Sequence, residues 1–163
     1  MKVFFGKFAV LAGFLFLCAN LNVSAHMVSF YVVEAGLPEY VENRHHSYIW
    51  ENAFMDVFFD AGHIVCNAPI LRLTARPSGD ILSAVAFDAL DAREGGIEYI
   101  LIAMLDYTPD LLSADNITFY IYSLTSRKIV YEKKITGKEY RTPREESDDI
   151  KSIVRGLVPY VRN

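Results

Sequence analysis

The apolar positions of this chain fall into two periods, and each change of period marks an element. Over residues 28–33 they alternate: Val28, Phe30 and Val32 point one way, and Ser29, Tyr31 and Val33 the other, which predicts a strand. Gly36-Leu37-Pro38 breaks it, and a polar connector follows over 39–46. The period then lengthens. Trp50, Phe54, Val57, Phe58 and Ala61 recur every three or four residues and share one helical face, with Asn52, Asp56 and Asp60 on the other. Ser47 is placed to cap this helix, and Gly62 to end it in the left-handed conformation. His63-Ile64-Val65-Cys66 is short and rich in β-branched residues, which predicts a buried strand. A helix feeding a strand across one glycine is an α/β unit, in which the helix must cover a sheet.

The same pattern continues beyond Pro69. Residues 70–74 extend the strand, and Pro77-Ser78-Gly79-Asp80 is turn chemistry that offers a cap. Ile81, Leu82, Val85, Ala86, Ala89 and Leu90 then trace one helical face as far as Gly95-Gly96. Residues 98–106, EYILIAMLD, are apolar on both alternations, so this strand is covered on both faces and lies centrally. A loop over 107–116 follows, longer than most connections in a compact domain and carrying Leu111 and Leu112. Residues 117–134 read as a hairpin with Leu124 opposite Ile129 and Tyr122 opposite Tyr131, which places the tyrosines on one face. Ser147-Asp148-Asp149 opens a last helix with its apolar face on Ile150, Ile153, Val154, Leu157, Val158 and Val161, and Pro159 disturbs its final turn. The expected fold is α/β, a mixed sheet with three main helices in the order strand, helix, strand, helix, strand, hairpin, helix.

The first residues follow a different logic. Lys2 and Lys7 precede an almost wholly apolar run over 8–19, and Val23-Ser24-Ala25 fits the small-residue rule of signal peptidase. Residues 1–25 are therefore expected to be a cleaved signal peptide and 26–163 a single α/β domain, periplasmic or secreted. The apolar run is shorter than the ~20 residues that span a bilayer, which favours cleavage over an uncleaved anchor, and Leu17 is bulky for a lipid anchor at Cys18; membrane association is expected to be at most peripheral. Loss of Lys2 and Lys7 takes the 16 basic residues to 14, against 20 acidic ones, a net charge of −6. That balance, with no basic stripe, argues against a nucleic-acid partner. Cys66 is then the only cysteine, so no disulfide can form within the domain.

Three stretches carry a resemblance: SYIWENAFMDVFFDAGHIVCN, AFDALDAREGGIEYILIAMLD, and the hairpin SLTSRKIVYEKKITG with the closing DDIKSIVRGLVPYV. In order and pattern the chain resembles the α/β domain shared by the N-terminal domain of TolB, the curli secretion lipoprotein CsgG and the penicillin-binding-protein activator LpoB. Its hairpin turn has Ser126-Arg127 where that family commonly has a glycine. The resemblance implies a non-enzymatic module of the bacterial cell envelope that binds or scaffolds other proteins.

Chemistry is sparse. Asp56 and Asp60 are helical neighbours, and with His63 they form the one constellation that could serve a metal-dependent or hydrolytic enzyme, the alternative reading. His45-His46 lacks the i, i+4 spacing of a helical metal pair. His26 would become the first residue of the processed chain. No phosphate loop, nucleophile elbow or zinc spacing is present, and no cofactor is expected. The expected activity is contact with an envelope protein through Tyr107, Leu111 and Leu112 of the 107–116 loop and through an exposed sheet edge, with a homo-oligomer left open.

Overall fold

In a computed structural model, residues 25–36, 44–85, 89–108 and 114–161 are described. The leader up to residue 24, Ala86, Leu111 and Leu112 lie outside these residues, as do the side chains of His45, His46 and Ala89.

Among the described residues, six strands make one mixed sheet. β1 (Met27–Ala35) lies parallel to β4 (Tyr99–Asp106) on one side; on the other it pairs with β2 (Ile64–Asn67) at its start and β3 (Leu71–Leu73) at its end, both parallel. β2 and β3 thus form one interrupted column, broken at Ala68-Pro69, where proline has no amide to donate. β5 (Asn116–Ser123) runs antiparallel to β4, and β6 (Lys128–Thr136) antiparallel to β5.

Both faces of the sheet are covered, as the doubly apolar 98–106 stretch requires. Helix α1 (Arg44–Asp60) and helix α4 (Pro143–Arg155) cover one face. There Trp50, Phe54 and Phe58 meet Val28, Phe30 and Val32 of β1, Leu101 and Leu105 of β4, and Ile150 and Val154 of α4. The short α2 (Ile81–Ala84) and α3 (Ala89–Glu94) lie on the other face, over Val33, Ile100, Ile102 and Met104. Burial of each such aliphatic side chain contributes roughly 1.5–3 kcal/mol, so β4, buried from Tyr99 to Leu105, anchors the layers.

The elements follow the expected order, but several local readings need correction. Ser47 does not cap α1. The helix begins at Arg44, and the Ser47 side chain is fully buried within it, donating its hydroxyl to Glu34. α4 starts a turn earlier than Ser147: Thr142 caps it by accepting from the Glu145 amide at 3.2 Å, and Pro143 fills the first turn, where no amide is needed. β2 is a half-exposed edge strand; Ile64 is open to solvent, and Cys66 is only partly covered. Leu90 is exposed, because Ala92 faces the sheet in α3.

The hairpin register is one residue from the expected one up to Ile121 and two residues from it beyond the bulge. Tyr131 pairs with Ile121 and Tyr122 with Ile129, across a bulge between Ile121 and Tyr122. Leu124 leaves the ladder altogether: its amide donates to the Glu98 carbonyl at 2.9 Å, and its side chain is buried. Arg127 closes the turn in the left-handed conformation, φ 55°. A one-residue slip exchanges faces, so Tyr131 packs towards the α1 side and Tyr120 and Tyr122 towards the α2 side. The single tyrosine face does not form.

Candidate functional site

The chain passes from β1 to β2 and β3 on one side, then crosses to β4 on the other. This reversal places a topological switch point at the carboxyl ends of β1 and β4, where open α/β sheets form their crevices. Two polar clusters gather there. In the first, Glu34 of β1 has no exposed surface, yet it accepts from the Ser47 hydroxyl and from Arg72 Nε of β3 at 2.7 Å. Glu34 and Arg72 are cross-strand partners, so the parallel register itself aligns the pair. In the second, Arg76 Nη1 donates to Asp106 Oδ2 at 2.9 Å, and its other terminal nitrogen reaches Thr118 at 3.4 Å. Burial pushes the Asp106 carboxyl above its usual range, and the Arg76 charge pulls it back. Each acid is matched to a base, so both clusters read as clamps on the strand ends.

Tyr107 leaves β4 at this end. Its side chain is buried in the α1-side core, and its amide donates to the Ala35 carbonyl at 2.8 Å. Burial, and after it the Glu34 charge, raise its phenol well above the ordinary value. It anchors the start of the 107–116 loop from within the core.

Asp56, Asp60 and His63 do not form a ligand set, which corrects the enzymatic alternative. Asp56 pairs with Lys151 Nζ at 2.6 Å on the solvent side of α1, and Asp60 is exposed. His63 is turned inward, with its ring against those of Phe58 and His26. Among the described residues, no group of three His, Cys, Asp or Glu side chains has metal-binding geometry.

The exposed surface carries a different signal. Tyr48, Met55 and Phe59 recur at helical spacing along the outer side of α1 and are open to solvent, Phe59 by 72%. Ile64, two residues past Gly62 on the β2 edge, is 56% exposed. Tyr48 also lines an open groove of about 360 Å³ with Glu51, Pro69, Ile70 and Arg72, between α1 and the β2–β3 column. Asn67 of β2 donates to Glu51 of α1, which ties helix and edge together under this surface. Asn52, Asp56 and Asp60 are the expected outer positions, and Tyr48, Met55 and Phe59 lie among them. The apolar spacing of those three residues was the available signal.

No family model and no curated protein matches the chain. Among solved structures, two crystal forms of the PelC dodecamer from Paraburkholderia phytofirmans are similar in shape. One has 12% identity over 88% of this chain and 93% of its own, with a TM-score of 0.47. The other has 11% identity over 80% and 87%, with a TM-score of 0.45. TolB from Acinetobacter baumannii is similar at 11% identity and TM-score 0.45; 83% of this chain corresponds to 29% of TolB. TolB is also one of the proteins whose domain the sequence pattern resembles. At these scores, nothing about this chain's partners follows from the likeness.

Proposed function

We propose that this chain is an exported, non-enzymatic module of the bacterial cell envelope that acts by binding another protein, and that the outer face of α1 is its main contact surface. The observation that carries this is the stripe Tyr48, Met55, Phe59 and Ile64, a run of large apolar side chains left in water beside an open groove. Contiguous apolar surface of this kind marks interaction sites, and aromatic and methionine side chains are enriched in interface cores. Leu111 and Leu112 are a second proposed contact; Tyr107, expected to join them, is buried and drops out of the contact set. β6 is a weaker edge for strand addition: Lys128, Lys133 and Lys134 line it, and edge lysines discourage pairing. Residues 1–25 are proposed as the leader that directs export, and 26–163 as the working domain. No helix among the described residues is long and apolar enough to cross a membrane.

The test is capture from envelope extract by the tagged, processed chain. The wild type is expected to retain a partner that Phe59→Asp loses at unchanged melting temperature. The Leu111→Ala/Leu112→Ala variant should bind more weakly. Equal capture by wild type and Phe59→Asp would mean that the outer face of α1 is not the contact surface.

A further inference from the structure

The backbone nitrogen of His26 is buried, although the residue before it is exposed. That nitrogen donates to His63 Nδ1 at 3.3 Å. The His26 ring nitrogen Nδ1 lies 2.8 Å from Glu98 Oε2, and the other oxygen of Glu98 accepts from the Met27 amide at 3.4 Å. The His26 carbonyl accepts from the Ile64 amide at 3.0 Å, and the ring packs edge-on against Tyr99, 5.4 Å between centroids. Chain starts usually fray unless they are tied down. Here β2, the turn after α1 and the start of β4 all hold this one residue.

We infer that His63 and Glu98 form a receptor for the processed N-terminus, the α-ammonium of His26 left by cleavage after Ala25. The inference rests on the leader assignment made above. Cleavage adds water across the Ala25–His26 peptide bond; the C–N bond breaks, Ala25 departs as a carboxylate, and His26 keeps the amine, which takes up a proton. An α-amine with a pKa near ~8 is mostly charged at neutral pH. The bond to His63 Nδ1 then becomes charge-assisted, and such bonds are roughly twice as strong as neutral ones. The Glu98 carboxylate, bonded to the His26 ring and to the Met27 amide, supplies an opposing charge beside the same residue. The ladder bond from Ile64 is untouched by the reaction, so the new terminus needs no rearrangement to engage. Processing in this way tightens the domain, and the precursor carries a neutral amide at the same place.

Two proteins test this: one beginning at His26, and one beginning at Ala25, which moves the charge one residue outward. The His26 form is expected to melt about 3 °C higher. The gap should narrow in the Glu98→Gln background, where the bond to His63 remains and the fold is retained because the Glu98 side chain is 43% exposed. Equal melting of the two wild-type forms, or a gap that persists unchanged with Glu98→Gln, overturns the receptor. N-terminal sequencing of the exported chain tests the leader separately. A first residue other than His26 overturns the cleavage site and with it the receptor's use, whereas His26 with no melting gap overturns the receptor alone.

Discussion

Glu34 is a carboxylate without solvent, and its charge is met by Arg72, whose side chain is 36% exposed. Breaking such a pair from the arginine side strands a buried charge. Arg72→Ala should therefore cost about 2–3 kcal/mol in urea unfolding, reduced from the full buried-pair figure because Arg72 is partly in water. Adding Glu34→Gln should recover part of the loss; a loss under ~0.5 kcal/mol for Arg72→Ala alone would contradict the clamp. Asp149 makes the opposite contribution at the surface. Bonds from Lys138 at 2.9 Å and from the Tyr140 hydroxyl at 2.8 Å hold its carboxyl below the usual range, Lys138 being the larger cause. A depressed carboxylate stabilises the fold above its ordinary pKa, and that contribution fades as pH falls through the depressed value. Asp149→Asn should thus lower the melting temperature at neutral pH and leave it less sensitive to acid below about pH 4. An unchanged acid profile would refute the pairing. Neither residue's role was legible in the sequence. Glu34 sits at the end of an apolar run and Arg72 between two leucines, and only the parallel register of β1 with β3 reveals that they face each other.

Helix α1 presents two apolar surfaces that differ by one residue in phase. Phe58 is 1% exposed and packs against Phe54 and His63, whereas its neighbour Phe59 is 72% exposed. Phe58→Ala should destabilise the domain by about 3–5 kcal/mol. Phe59→Ala should change stability by less than ~0.5 kcal/mol, because it removes no packed side chain. Similar losses at both positions in denaturant melts would mean that the helix is rotated from the described phase. The inward face of α1, the alternation of β1 and both faces of β4 are readable from the sequence, because burial on a regular element is a periodic signal and those elements are regular. Where regularity fails, the reading fails with it. The bulge at Ile121 and Tyr122 has no residue that announces it, and the withdrawal of Leu124 to the Glu98 carbonyl is a long-range contact. The helix starts were misplaced for a similar reason: Ser47 and Ser147 are both plausible caps locally, and the decision falls to Glu34 burying one hydroxyl and to Thr142-Pro143 offering an earlier start.

At the scale of the whole molecule, the central strands β1 and β4 are covered on both faces, and the exposed features are unevenly placed. One edge ends in the short, proline-broken β2–β3 column under the apolar side of α1; the other ends in the lysine-bearing β6. The switch-point clusters are internally paired, and the α1 side is the surface proposed to meet another protein. Leu90, exposed on the opposite face of the sheet, serves as an internal control. The most direct measurement is site-specific photo-crosslinking in the envelope, with a photoreactive phenylalanine placed at position 59 or position 90 of the exported chain. A discrete adduct from position 59 and none from position 90 is the expected result. Adducts from position 90 alone, or none from 59 in a folded and exported protein, would contradict a contact surface on α1.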